Sequence, residues 1–180
     1  MRNDIERILI SDEELQKKVS EMGRKISRDF EGKDPIFVGV LKGCFIFMAD
    51  LMRYVDISCS MDFMSVSSYS GTSSTGAVKI NKDLGEDIEG RHLIIVEDIL
   101  DSGVTLSYLK QYLMVRKPAS ITIATLMDKP ARRKADIYAD YSCFEIPDAF
   151  VVGCGLDYDQ RYRNLPYIGI LKPSVYEKNP

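Results

Sequence analysis

Three carboxylates, two hydroxyls and a glycine crowd one short stretch of this chain: Glu97, Asp98, Asp101, Ser102, Gly103 and Thr105. Carboxylates accept hydrogen bonds from sugar hydroxyls, help to hold Mg²⁺, or take a proton. A helix start offers unpaired backbone N–H groups and a positive dipole end, both suited to a phosphate. Gly103 would let that backbone approach a ligand closely, and Ser102 and Thr105 would add hydroxyl donors. Together these residue types could grip a ribose 5-phosphate from both sides. The plainer reading of the same spacing is an acidic turn whose Asp or Ser caps a helix. On the residues alone both readings stand.

The elements around the stretch must position it. Leu93-Ile94-Ile95-Val96 precedes the acids as a buried strand of the kind found inside parallel sheets, and Leu106, Leu109 and Leu113 follow at helical spacing. The segment therefore reads strand, acidic loop, helix, and the open end of such a loop is where ligands bind in doubly wound α/β proteins. A second unit of this kind is Pro35–Leu41, then Lys42-Gly43, then a helix carrying Phe45, Ile46, Met48, Ala49 and Met52. Unaided, Lys42-Gly43 is a turn with a cation on it. A third strand, Ile121–Met127, leads into the basic run Asp128-Lys129-Pro130-Ala131-Arg132-Arg133-Lys134. A charge run is by default solvated surface. Lys129 stands apart because it sits directly at the strand end.

Elsewhere the patterns are structural. Ser11-Asp12-Glu13-Glu14 is a capping box for a helix with Leu15, Val19, Met22, Ile26 and Phe30 along one face, ended by Gly32. Ile57–Phe63 alternates as a half-exposed strand, and the Ser- and Gly-rich stretch 65–76 reads as a mobile surface loop before strand pattern resumes at Ala77–Ile80. Phe144–Tyr158 reads as a turn and a strand, with Phe150 in the core by default. Ile168–Leu171 is a last short strand, and the tail beyond Pro173 is expected to be loose.

Composition narrows the class. Hydrophobic residues make up 45% and charged residues 28% of 180 residues, enough for one α/β domain with a full core. A net charge of −3 argues against a general attraction to nucleic acid or anionic membranes, so an anionic substrate must be met by local donors. Cys44, Cys59, Cys143 and Cys154 are scattered and His92 is the only histidine, which argues against a zinc site and for a reducing cytoplasm. Met1–Arg7 lacks a signal-like apolar core, and the apolar run near Cys44 to Met52 is too short to span a bilayer.

Ile95–Thr105 resembles the phosphoribosyl-diphosphate motif of type I phosphoribosyltransferases, with the Glu-Asp pair, the following Asp and the Ser-Gly-x-Thr turn all in place. Leu41-Lys42-Gly43 resembles that family's diphosphate loop, in which the Leu-Lys peptide is cis. Ser68-Tyr69 matches the dipeptide of its flexible lid. Phe144–Leu165 is similar to the purine-binding region of the hypoxanthine–guanine branch.

The resemblance implies a mostly parallel twisted sheet flanked by helices, within a single domain over 1–180. Its core would span about 35–145, and a small hood would come from the N-terminal segment and about 146–172. It implies purine salvage: hypoxanthine, and guanine with it, reacting with 5-phosphoribosyl 1-diphosphate, with Mg²⁺ as cofactor. Asp101 would be the catalytic acid/base. Glu97, Asp98, Ser102, Gly103, Val104 and Thr105 would bind ribose and 5-phosphate. Leu41, Lys42, Gly43 and Arg163 would bind diphosphate, and Lys129, Phe150 and Val151 the purine. Asp157, with Glu97 and Asp98, would stand on the metal side. Val104 departs from a pattern in which Lys often follows the turn glycine. Since Val cannot donate, phosphate binding would rest on backbone and hydroxyls. The partners implied are small molecules, with no nucleic acid and no membrane, in a homodimer or homotetramer. Two alternatives stay open: a regulator of this fold that binds nucleotide or nucleic acid, and a xanthine-preferring transferase.

Overall fold

The computed structural model describes residues 1–68 and 78–177. In chain order its elements are β1 (Ile5–Ile10), α1 (Asp12–Asp29), β2 (Ile36–Leu41), α2 (Phe45–Met52), β3 (Ser60–Ser68), β4 (Val78–Lys82), β5 (His92–Leu100), α3 (Val104–Met114), β6 (Ser120–Asp128), β7 (Tyr141–Glu145), β8 (Val151–Val152), β9 (Ile168–Leu171) and α4 (Pro173–Tyr176). One sheet has the order β4-β3-β2-β5-β6-β7, parallel throughout except for β4, which returns antiparallel to β3. This is the mixed α/β architecture expected from the repeated strand–turn–helix units.

Period-two alternation explains why this sheet is buried on both faces. Phe37, Ile94, Val96, Ala124 and Leu126 point to the side covered by α1 and α2, where Leu15, Val19, Met22, Ile26, Phe47 and Leu51 meet them. Ile36, Val38, Val40, Leu93, Ile95 and Ile123 point to the side covered by α3 through Leu106, Leu109 and Leu113. The capping box forms as read: Ser11 Oγ accepts from the Glu14 N–H at 3.3 Å, and the Glu14 carboxylate accepts from the Ser11 N–H at 2.8 Å.

Several boundaries differ from the sequence reading. β5 does not stop at Val96 but continues through Glu97 and Asp98, because β6 runs on beside it, pairing Glu97 with Thr125 and Leu100 with Asp128. The two acids therefore stand on a strand, not in a loop. β3 begins at Ser60 and extends to Ser68, held by β2 over its first part and by β4 over its last. α3 ends at Met114, ahead of Pro118, and Lys117 takes a left-handed φ of 54°.

A second sheet, β1-β9-β8, is antiparallel and joins the two ends of the chain. The tail is not loose over its described part, to Glu177. Lys172 N–H donates to Asp4 O at 2.9 Å, and Pro173–Tyr176 forms the short helix α4. No helix among the described residues is long and apolar enough to cross a membrane.

Candidate active site

Because β2, β5 and β6 are parallel, their carboxyl ends share one edge, and the loops that leave them meet there. A cleft of about 300 Å³ opens at that edge, lined by Leu41, Gly43, Glu97, Asp98, Asp101, Ser102, Gly103 and Thr105 among others. Eight of the residues singled out in the sequence thus share one cavity. Val104 is not among them; its side chain points out of the cleft from the first turn of α3 and is 40% exposed. Gly103 is the helix N-cap, at φ 77°, and has no side chain to cap with; Ser102 Oγ, one residue before it, accepts from the Val104 N–H only at a long 3.4 Å. A Cβ at Gly103 would come within 2.5 Å of Ile137 Cγ2, so the glycine is required by packing as well as by its left-handed conformation.

Glu97 and Asp98 form a strained electrostatic pair. Burial pushes both carboxyls up, and each charge raises the other or is raised by a neighbour: Asp98 acts on Glu97, and Asp157 on Asp98. Asp98 is raised to about 6, first by desolvation, with the Ile99 N–H (2.8 Å) and Arg163 opposing. A carboxyl whose folded pKa is raised binds a proton on folding. The stability this contributes is complete below the unfolded value near 3.8 and is lost as pH rises through about 6. Asp98→Asn keeps an acceptor for Ile99 and removes the charge. It should raise the Tm of the metal- and ligand-free protein by about 4 °C at pH 8 and by about half as much at pH 5. Differential scanning fluorimetry at the two pH values, with chelator present, checks this, and an equal shift at both would overturn it.

Two backbone segments converge beside Asp98. The Leu41–Lys42 peptide is cis, as the resemblance implied. A Cβ on Gly43 would collide with the Asp98 carboxylate, and one on Gly155, which has φ 100°, would collide with Gly43 O. These two glycines let the 41–43 loop and the 153–156 turn close onto the acid pair. Arg163 ties the turn down, donating from Nη1 to Gly155 O at 2.6 Å, with Nη2 in an ion pair 2.7 Å from Asp157 Oδ1. Lys42 Nζ (3.1 Å) and Arg163 Nη2 (3.5 Å) both donate to Gln160 Oε1, so the two cations expected to serve a diphosphate meet at one point. Gln160 and Gly155 had no local sequence signal; each is defined by a contact with a distant segment.

Lys42, Lys129, Phe150, Val151, Asp157 and Arg163 do not line this cleft. Lys129 is 4% exposed; its ammonium donates to Ala149 O at 2.9 Å and lies 3.9 Å from Asp148. One of its three donors is thus committed, and two remain. Val151 is buried in β8, whereas Phe150, a core residue by default, is 39% exposed. Arg132 links this region to Asp101, its guanidinium 2.9 Å from Asp148 Oδ1 and 3.8 Å from Asp101 Oδ2. Asp101 Oδ1 is buried with no hydrogen-bond partner among the described residues. Such an oxygen is ready to accept a donor.

Apart from Lys129 the basic run is surface, as read, with one further exception. Arg133 turns inward, donating from Nε to Asp101 O (2.9 Å), from Nη1 to Ile137 O (2.6 Å), and from Nη2 to Leu100 O (3.2 Å) and the Asp128 carboxylate. It clamps the end of β5 to the end of β6, a role its neighbours in the sequence conceal.

Among the described residues no group of three or more His, Cys, Asp or Glu stands close enough to hold a metal ion together. The set Glu97, Asp98 and Asp157 does not form a closed cage. Asp157 is engaged with Arg163 and, through Oδ2, with the Gln160 N–H at 2.8 Å. That donor set suits Mg²⁺, which keeps waters and binds through one or two carboxylates plus substrate phosphates. The lid expectation rests on Tyr69, which lies outside the described residues, and on the side chain of Ser68, which does too.

With this geometry in hand, the relatives are informative. The chain is 58% identical to the hypoxanthine-guanine phosphoribosyltransferase of Bacillus subtilis over 178 residues, covering 98% of this chain and 99% of that protein. It is 51% identical to the enzyme of the same name from Streptococcus thermophilus, with 99% of each covered. Its fold superposes on a crystal structure of a hypoxanthine phosphoribosyltransferase from Staphylococcus aureus with a TM-score of 0.95, at 52% identity and over 99% of this chain and 97% of that one. The phosphoribosyl transferase domain model matches residues 9–159, so the chain belongs to the phosphoribosyltransferase family.

Proposed function

We propose that this protein is a purine salvage enzyme, a hypoxanthine–guanine phosphoribosyltransferase. It joins a 6-oxopurine to the ribose of 5-phosphoribosyl 1-diphosphate, giving a nucleoside 5′-monophosphate and diphosphate. One observation carries the reading: the acid pair, Asp101 and the Ser102–Thr105 turn share one cleft with Leu41 and Gly43.

Each part then has a task. The N–H groups at the start of α3, with Ser102 and Thr105, hold the 5-phosphate. Glu97 and Asp98 accept from the ribose 2- and 3-hydroxyls, directly or through Mg²⁺. Lys42 and Arg163 exchange Gln160 for the diphosphate oxygens, which they hold with charge-assisted hydrogen bonds. Lys129 donates to O6 of the base, Phe150 stacks on it, the Val151 backbone reads its edge, and Asp101 moves a proton at N7. Mg²⁺, when bound, neutralises charge on the departing diphosphate. The three-stranded sheet β1-β9-β8 serves as a hood over the base within a single domain, and the enzyme works in the cytoplasm as a homodimer or homotetramer.

Steady-state rates with hypoxanthine, guanine, xanthine, adenine and uracil, each with 5-phosphoribosyl 1-diphosphate and Mg²⁺, test the proposal. Hypoxanthine and guanine should turn over and adenine and uracil should not. Preference for xanthine would favour the xanthine transferase, and tight nucleotide binding without turnover would favour a regulator.

A further inference from the structure

We propose that Tyr176, in the C-terminal helix α4, is a positioning residue for the purine site. Its ring backs the ring of Phe150 and holds it flat for the base. The inference rests on the reading of Phe150 as the base-stacking residue.

The two rings lie 4.8 Å apart between centroids at an interplanar angle of 17°, a stacked pair. Tyr158 meets Phe150 edge-on, at 5.6 Å and 85°. One face of Phe150 is thus covered by Tyr176 while Tyr158 stands at a right angle beside it, yet the residue is 39% exposed, and the face away from Tyr176 is the one left for a ligand. That is the surface a planar base would take, giving a column of base, Phe150 and Tyr176.

Both members of the protein pair are fixed independently. The chain around Phe150 is pinned by Lys129 Nζ on Ala149 O and by the Leu171 N–H on Phe150 O, each at 2.9 Å. The helix that carries Tyr176 is tied to the opposite end of the chain by Lys172, whose N–H reaches Asp4 O at 2.9 Å and whose Nζ reaches Asn3 O at 2.6 Å. Tyr176 also packs against the apolar cluster of Val152, Tyr162, Leu165 and Leu171 under the small sheet. With Tyr176 in place, Phe150 has little rotamer freedom left to lose when a base arrives. Without it, that ordering is charged to base binding.

The test is steady-state kinetics on the full chain for Tyr176→Ala, Tyr176→Leu and Tyr176→Phe, varying hypoxanthine and 5-phosphoribosyl 1-diphosphate in turn. Loss of an aromatic pair should raise the hypoxanthine KM about 3- to 10-fold in the Ala and Leu variants. The donor KM and kcat should stay within about twofold, and Phe should restore the parent value. Leu keeps apolar bulk on the small sheet, so it reports even if Ala unfolds. An unchanged hypoxanthine KM in the Leu variant overturns the proposal. So does a lowered one, which would mean that Tyr176 competes for the base's place. Equal rises in both KM values, or failure of Phe to rescue, would reduce Tyr176 to a general prop and also overturn it. Phe150→Ala separates the two readings. If it leaves the hypoxanthine KM unchanged, the stacking role of Phe150 fails; if it raises that KM while Tyr176→Leu does not, only the role of Tyr176 fails.

Discussion

Asp101→Asn should lower kcat by about 10²- to 10⁴-fold, the usual range for losing a general acid or base, while leaving the affinity for 5-phosphoribosyl 1-diphosphate close to that of the parent. The expectation follows from where the carboxyl stands. Asp101 lies directly after β5 and directly before the turn proposed to hold the 5-phosphate, so a ribose bound there would present its base to this side chain. One carboxylate oxygen, Oδ1, is buried and unpartnered among the described residues, and the other faces Arg132 at 3.8 Å. The main chain is held separately by Arg133 through Asp101 O, so an isosteric amide should leave the loop in place. Single-turnover rates and equilibrium binding of the donor to the Asn variant measure the two effects apart. Parent-like kcat would remove Asp101 from the mechanism, and loss of donor binding would recast it as a ligand of the sugar.

The sequence made the strand–turn–helix units legible because their signals are local. The unbroken apolar run Leu93–Val96 and leucines at helical spacing in α3 depend on neighbours a few residues away. The cleft was legible for the same reason, since three loops at the carboxyl ends of parallel strands must converge. What remained hidden depends on contacts between distant segments. Nothing in Gly155 announces that Gly43 O lies against it, and nothing in Arg133 distinguishes it from Arg132 or Lys134 until β5 and β6 are set side by side. β1 was obscured because Glu6, Arg7 and Ile8 are all exposed, which leaves no period-two pattern, and because its partner strand lies at the far end of the chain. The tail looked loose on composition, yet Lys172 and Tyr176 anchor it through partners no window of sequence contains. The acids of β5 were misplaced into a loop because a run of carboxylates normally ends a strand. Here the site needs them on one, where burial raises their pKa values and a ligand's hydroxyls or cation can compensate.

Base choice should turn on Lys129. Its ammonium is 4% exposed and has three donors and no acceptor; Ala149 O takes one of them, leaving two for a ligand or for Asp148. Hypoxanthine and guanine offer an acceptor at C6, whereas adenine offers a donor amino group there. Adenine would therefore bring donor against donor in a site shielded from water, where a charged group's lost partner costs roughly 1–3 kcal/mol or more. Sites built on such pairing reject the wrong group by about 10⁴-fold. The kcat/KM for adenine should accordingly fall below that for hypoxanthine by about that factor. Lys129→Ala should weaken the use of 6-oxopurines far more than it weakens donor binding. It removes the contact to O6 and also frees the Ala149 carbonyl that fixes the chain entering Phe150 and Val151. The discrimination against adenine should shrink in the variant, chiefly through loss of hypoxanthine use. Measuring kcat/KM for both bases in both proteins decides the matter. Efficient adenine use by the parent enzyme, or parent-like hypoxanthine use by Lys129→Ala, would sink the assignment. If the Ala variant instead loses both bases and the donor alike, Lys129 is serving the 148–151 segment and not the purine.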